Sequence, residues 1–154
     1  MSSDSETQLD LKGFFPYQFS ILAQQMSEYI AQIYKKYDLS KMEWRVLATI
    51  GQHTDISARE ICQFTHFDKM QVSRAIAKLM AAEYLSQQIS DTDRRTISLK
   101  LSSKGIDLYQ EIIPLVRDQE QRLLQGLTDS ERQMLRQLTL KLSGHLASSD
   151  VEEK

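Results

Sequence analysis

The stretch from 56 to 82, ISAREICQFTHFDKMQVSRAIAKLMAA, contains the start signals of two helices in close succession. Ser57 with Glu60, and Asp68 with Gln71, have the spacing of a capping box, in which each side chain accepts a hydrogen bond from the other residue's backbone N–H. An apolar periodicity of three to four residues follows each box and predicts helices over 58–64 and 69–82. Two short helices joined by so short a turn form a helix-turn-helix.

The sequence on either side extends this pattern. Upstream, Ser40 with Glu43 is a third capping box and predicts a helix over 41–52. Downstream, the apolar period changes to two residues, strictly over 96–101 and less cleanly over 84–89. These segments predict two strands joined by a polar tip that runs from Ser90 to Arg95. A helix-turn-helix followed by such a hairpin is a winged helix, so we expect a mainly α fold with a small β-hairpin.

Long helices flank the winged helix in the sequence. Residues 14–37 carry apolar side chains at helical spacing, and Ser102 is placed to cap a helix that Pro114 should kink or break. Thr128 with Glu131 opens a final helix. The first and last helices have apolar stripes broader than a small winged core could cover, which usually marks an interface. We therefore expect one domain over 1–154, with dimerisation helices at about 14–38 and 104–147 around a winged lobe at about 40–103.

Composition limits the function classes. The chain has 154 residues, 41% of them apolar, a net charge of −2 and one cysteine. It is long enough for one domain, is not globally basic, and can form neither an intrachain disulfide nor a cysteine-based zinc site. No segment is apolar enough for a membrane span and the start is acidic and polar, so we expect a cytoplasmic protein without a membrane partner. Because the histidines lack metal-ligand spacing and no glycine-rich phosphate loop occurs, we expect no cofactor and no enzyme.

Positive charge is concentrated around the second helix of the helix-turn-helix. Residues 66–104 contain seven Lys or Arg against four Asp or Glu, although the whole chain is net negative. No acid occurs from Lys69 to Ala82, whereas ordinary solvent-facing helices mix Glu with Lys. Helical spacing turns Val72, Ile76 and Leu79 toward the core. It leaves an outer face of Met70, Gln71, Arg74, Lys78, Ala77 and Ala81, with Ala75 and Ala82 at its edge.

That outer face has the chemistry of a helix that enters the major groove of DNA. Cations meet phosphates, Gln or Arg reaches base edges, and small residues allow close approach. A solvated amphipathic helix is the alternative. The hairpin tip, Asp91-Thr92-Asp93-Arg94-Arg95, is either a polar turn or a wing whose arginine enters the minor groove, where the acceptor-lined floor attracts a guanidinium. A neighbouring carboxylate could hold that arginine extended before DNA binds.

The ordered set of motifs resembles the MarR-type winged-helix regulators over roughly residues 14 to 146. The resemblance is carried by Trp44-Arg45-Val46-Leu47, Asp68-Lys69-Met70-Gln71-Val72-Ser73-Arg74, Asp93-Arg94-Arg95 and Leu101-Ser102-Ser103-Lys104-Gly105. It implies a homodimeric, sequence-specific DNA-binding regulator, usually a repressor released by a small ligand or by oxidation. The chain departs from the family pattern at Glu83-Tyr84, where glycine is common in the family. The resemblance therefore does not predict the geometry of the junction between recognition helix and wing.

The resemblance also assigns roles by position. Asp93 and Arg95 are similar to the acid–arginine pair of the family's wing, with Arg95 in the minor groove and Arg94 on a phosphate or in a salt bridge. A two-fold dimer reads two half-sites, so the double-stranded operator should be an inverted repeat. The residues expected to contact DNA are Ser57, Lys69, Met70, Gln71, Ser73, Arg74, Lys78, Arg94 and Arg95, and Asp93 is expected to orient the wing.

The effector is only weakly indicated. The resemblance implies a ligand site between the dimer helices and the winged lobe, with an aromatic acid as the ligand class by analogy. The candidate lining residues, for each of which core or boundary packing is the simpler explanation, are Tyr34, Tyr37, Trp44 and His66. Two alternatives stay open. One is a redox-responsive regulator that uses Cys62, more simply a small buried hydrophobe. The other is a winged-helix protein–protein adaptor without DNA binding, which should present an apolar or mixed-charge face over 69–82.

Overall fold

The computed structural model describes residues 8–90 and 95–152 of the chain. Over these residues it forms a mainly helical fold with one small antiparallel sheet. The helices are α1 (Phe15–Tyr34), a short 3-10 helix (Lys35–Tyr37), α2 (Lys41–Gly51), α3 (Ala58–Thr65), α4 (Lys69–Ala81), α5 (Ser103–Leu123) and α6 (Asp129–Glu152). The strands are β1 (Ile56–Ser57), β2 (Leu85–Ile89) and β3 (Ile97–Leu101).

The helix starts predicted from the capping boxes are confirmed. At α2, Ser40 Oγ accepts from the backbone N–H of Glu43 at 3.2 Å, and the Glu43 carboxylate accepts from the N–H of Ser40 at 3.1 Å. The same reciprocal pair opens α3, α4 and α6. Ser102 Oγ accepts from the N–H of Gly105 at 3.0 Å, as its predicted capping role requires.

Two features of the elements differ from the prediction. Strand β1 was not predicted, because two residues are too few to show an alternating pattern. Of the two effects expected of Pro114, a kink or a break, the break does not occur, since α5 continues through it from Ser103 to Leu123. Proline removes one backbone donor, and the carbonyl of Gln110 that would have received it belongs to a solvent-exposed residue, so water can replace the lost bond.

The three strands have the order β1-β3-β2. Ile56 is opposite Leu99 on one side of β3, and Leu85 and Ile89 are opposite Leu101 and Ile97 on the other. The core of the winged lobe consists of fully buried side chains from α2, α3, α4 and α5, among them Val46, Leu47, Ile61, Val72, Leu79 and Ile112. Ala75, expected at the edge of the outer face of α4, is also buried in this core.

The junction between α4 and β2 is held by the start of α5. Glu83 itself adopts the left-handed conformation, with φ of 65°, in which glycine is favoured. Ser102 Oγ donates to the carbonyl of Glu83 at 2.6 Å, and Lys104 Nζ donates to the carbonyl of Ala82 at 2.9 Å. Gly105 lies so close that a Cβ there would overlap the carbonyl oxygen of Tyr84. These contacts supply the tight turn without a glycine at 83.

The chain consists of two compact units, Met1–Gln119 and Glu120–Lys154, and the boundary between them falls inside α5. In the first unit, the beginning of α1 exposes large apolar side chains, namely Phe15, Tyr17, Phe19, Ile21 and Leu22. In the second, Arg132 Nε donates to the carbonyls of Leu124 and Leu127 and so satisfies the turn after α5. Helix α6 also exposes a set of large apolar side chains, Met134, Leu135, Leu138, Leu140, Leu142 and Leu146.

Candidate nucleic-acid interface

The outer face of α4 has the composition expected of it. Its exposed residues are Lys69, Met70, Ser73, Arg74, Ala77, Lys78 and Ala81, and no acidic residue occurs within the helix. Met70 is 65% exposed, although it is large and apolar. Because the buried residues of α4 anchor the helix to the winged core, this face is presented outward on a rigid element.

Lys78 is exposed but already has an acidic partner. Its Nζ lies 3.2 Å from Glu43 Oε1, and the Lys78 side chain is 74% exposed whereas that of Glu43 is 9% exposed. Burial raises the pKa of Glu43, but the hydrogen bond from the Ser40 backbone and the bond to Lys78 outweigh it and lower that pKa overall. Lys78 stays a predicted DNA contact, but α2 supplies it with an acidic partner that α4 itself lacks.

Two other residues predicted to contact DNA, Gln71 and Ser57, already make hydrogen bonds that cap helices. Gln71 is half-buried, and its Oε1 accepts from the backbone N–H of Asp68 at 3.1 Å. Ser57 Oγ accepts from the N–H of Glu60 at 3.2 Å and donates to its carboxylate at 2.8 Å. The hydrogen bond that the Glu60 carboxylate accepts from the backbone N–H of Ser57, and after it the bond from the Ser57 hydroxyl, lower the pKa of Glu60. The amide NH₂ and one lone pair of Oε1 of Gln71, and the remaining lone pair of Ser57 Oγ, are left for another partner.

Strands β2 and β3 pair with each other and form the hairpin of the wing. Among the described residues, the backbone bond nearest its tip joins the N–H of Ser90 to the carbonyl of Thr96 at 2.9 Å. Arg95, beside this bond, is exposed. The predicted wing residues Asp93 and Arg94 lie outside the described residues.

Helices α3 and α4 and the hairpin open onto one groove of about 620 Å³. Lys69 and Ser73 of α4 line it together with Ile97 of the hairpin, so the helix and the wing share a side of the unit. Arg59 of α3 also lines this groove and is exposed, but it was missed as a candidate. Arg59 lies outside the basic stretch 66–104 that contains the predicted basic contacts. Its position as a basic residue in the first helix of the helix-turn-helix was the sequence signal that could have indicated it. Cys62 lines the same groove and is half-buried rather than fully buried.

The four candidate effector residues do not converge on one cavity. Tyr34 and Trp44 are buried and stacked, with ring centroids 5.7 Å apart, and both line a small cavity of about 180 Å³ beside Arg45. Burial raises the pKa of Tyr34, against a smaller lowering effect of Arg45. Tyr37 instead donates its hydroxyl to Glu111 at 3.0 Å. His66 is exposed where α3 ends, in the left-handed conformation.

Within residues 8–90 and 95–152, none of the helices could serve as a transmembrane span. No group of three or more His, Cys, Asp or Glu residues is arranged there to hold a metal ion.

Comparisons with known proteins agree with this architecture. Residues 37–96 match the model of the MarR family. The chain is 24% identical over 121 residues to the HTH-type transcriptional regulator PecS of Dickeya dadantii (strain 3937), covering 77% of this chain and 73% of that protein. PecS and the other regulators that match are named as transcriptional regulators and not as enzymes, in line with the expectation from the sequence.

Solved structures share the fold over most of the chain. A MarR/EmrR family transcriptional regulator from Acinetobacter sp. ADP1 has a TM-score of 0.81 and 24% identity, covering 91% of this chain and 99% of its own. A mutant MarR from E. coli complexed with operator DNA has a TM-score of 0.73 and 21% identity, covering 81% and 90%. The chain is therefore similar to the MarR family over residues 37–96, and it shares the winged-helix fold of the solved MarR-type structures over most of its length.

Proposed function

We propose that the chain is a sequence-specific DNA-binding transcriptional regulator in which α4 enters the major groove and the wing enters the adjoining minor groove. The observation that carries this proposal is the groove shared by α4 and the hairpin, bordered by exposed cations and by no acid of α4. A similar protein complexed with operator DNA supports it. Lys69, Arg74 and Arg59 are the cations for the backbone and the base edges, with Ser73, Ser57, Met70 and Gln71 beside them.

The regulator acts as a homodimer on an inverted-repeat operator. The exposed apolar side chains of α1 and α6 are the surfaces that a second copy would cover. A two-fold dimer presents two recognition helices to half-sites about one helical turn apart. The outcome is repression, released by a small ligand such as an aromatic acid, and the place of action is the cytoplasm. Arg94 and Arg95 serve the wing, and Asp93 orients it.

Fluorescence anisotropy with labelled duplex DNA from upstream of the chain's own gene tests the proposal. We expect specific binding that weakens steeply with added salt, because several phosphates are neutralised. An affinity no better than the roughly 10⁻⁴ to 10⁻⁶ M of non-specific binding, on every duplex tried, would contradict it. A winged-helix adaptor would give that result and would instead bind a protein partner. Cys62, half-buried in the groove, keeps redox control as the second mode of release to test.

A further inference from the structure

One large apolar side chain lies among the cations on the exposed face of α4. Met70, the second residue of the helix, has most of its surface in contact with water. Met80 of the same helix is half-buried instead and packs against the core of the winged lobe. Met70 therefore contributes little to that core, and its apolar surface is accessible to a partner.

Met70 occupies the part of a recognition helix that meets the bases. In a helix-turn-helix, the N-terminal residues of the second helix contact the base edges in the major groove. Lys69, Ser73 and Arg74 surround Met70 at helical spacing, and all three are exposed. When the cations of this face reach the phosphates, the side chain of Met70 faces the base edges.

The remaining apolar residues of the exposed face are small. Ala77 and Ala81 follow Met70 at helical spacing on the same side of α4, and both are exposed. Their methyl groups allow the helix to approach DNA closely but do not extend far from it. Met70 is therefore the long apolar side chain that this face presents to the bases.

Thymine is the base that offers an apolar group in the major groove. Its C5-methyl projects there, whereas the other bases are distinguished by hydrogen-bond donors and acceptors at their edges. A thioether is only a weak acceptor, so methionine against those edges would cover polar groups that then lose their water. Contact with a thymine methyl instead removes apolar surface of both partners from water.

We infer that Met70 is a specificity-determining residue that contacts the C5-methyl group of one thymine in each half-site of the operator. This inference rests on the proposed DNA-binding function. The preference for thymine is separate from any preference that Arg74 supplies, because a guanidinium recognises hydrogen-bond acceptors and Met70 recognises a methyl group.

A uracil scan tests the contact, because uracil differs from thymine only in lacking the C5-methyl group. The probe is the tightest-binding duplex from upstream of the chain's own gene, with uracil in place of one thymine at a time, changed in both half-sites together. Anisotropy titration of the unmodified chain is expected to find a position at which uracil weakens binding roughly ten- to twentyfold, or about fourfold for each methyl group.

Variants of Met70 connect that position to this side chain. Met70→Ala is expected to bind the thymine and uracil duplexes equally, because the contact that the methyl group makes is already gone. Met70→Leu keeps an apolar side chain and is expected to keep most of the discrimination. Met70→Gln is similar in size but polar, and it is expected to lose the discrimination. Circular dichroism checks that each variant is folded, which we expect because Met70 is exposed.

Arg74→Ala is the matched control on the same face of α4. It is expected to weaken binding to both duplexes while keeping the discrimination between thymine and uracil. Two outcomes would overturn the inference: Met70→Ala discriminates as strongly as the unmodified chain, or no uracil substitution weakens specific binding by the unmodified chain. If the unmodified chain shows no specific binding to any duplex, the proposed function fails instead, so the two failures are distinguishable.

Discussion

Arg74 and Lys78 lie one turn apart on the exposed face of α4, yet their surroundings differ. Lys78 is paired with Glu43, whereas Arg74 extends from the middle of the acid-free face. Two basic residues at helical spacing on one face therefore have different electrostatic surroundings. This distinction depends on α2, which is remote from α4 in sequence, and helical spacing within α4 could not indicate it.

Replacing Arg74 with Ala is expected to weaken operator binding by about 1–3 kcal/mol and to relax the preference at one base pair per half-site, if the guanidinium reads a base edge. Lys78→Ala is the matched comparison and should cost less, because Glu43 already offsets its charge. Anisotropy on the operator and on single-base variants measures both. An equal loss for Arg74→Ala on every duplex would make it a phosphate contact.

Glu43 makes the stability of the winged lobe depend on pH in the acid range. Its pKa in the folded chain lies below the ordinary value of 4.5, so folding favours the charged form. The stabilisation is fully present above pH 4.5 and is lost as the pH falls through the lower folded value. Urea unfolding at a series of acid pH values should show a smaller decline for Glu43→Gln than for the unmodified chain. Equal declines would contradict this.

At the scale of the elements, local chemistry explains why so much was predictable. The reciprocal capping pairs at α2, α3, α4 and α6 involve residues three apart, so the sequence displays them directly. The short strand β1 depends on pairing with β3, which no local pattern reveals. The geometry of the junction at Glu83 is not predictable for the same reason, because the groups that fix it, Ser102 and Lys104, lie at the start of α5.

The site was predictable to a similar extent. The exposed face of α4 follows from helical spacing, and the expected residues Lys69, Met70, Ser73 and Arg74 are all exposed. The partner of Lys78 and the groove position of Arg59 depend on packing between elements. A sequence read one segment at a time contains no signal for such contacts.

Gly105→Ala tests the close approach of α5 to the junction between α4 and β2. The added Cβ would meet the carbonyl oxygen of Tyr84, which is backbone and cannot rotate away, so we expect a loss of roughly 1–3 kcal/mol in unfolding free energy. Gly144→Ala in α6 is the matched control, since nothing lies near its Cβ position, and it should stabilise the helix by about 0.5–1 kcal/mol. Equal effects in thermal or urea unfolding would contradict the close approach.

At the scale of the whole molecule, α6 exposes a large set of apolar side chains along its length. Six large apolar residues of this helix are at least 40% exposed. Water contact at such a surface is unfavourable, and a second copy of the chain would remove it.

Leu138→Glu is expected to weaken self-association, because it places a charge within that apolar surface. Sedimentation velocity should find the unmodified chain at about twice its mass of 17.8 kDa, and the variant shifted toward the single-chain mass. Gln137→Glu adds the same charge at the neighbouring exposed position and should leave the mass unchanged. An unmodified chain that sediments as a single copy at micromolar concentration would contradict the proposed dimer.

The reciprocal caps also bear on the order in which the lobe is assembled during folding. Contacts between residues three apart close almost no loop, so the first turns of α2, α3 and α4 can nucleate early. Strand β1 must wait until the hairpin exists, since Ile56 pairs with Leu99. Pulse-labelled amide exchange during refolding should therefore protect helical amides before that of Ile56. The pairing of β1 with the hairpin would then be the last step in building the sheet, and the first to be lost under denaturant.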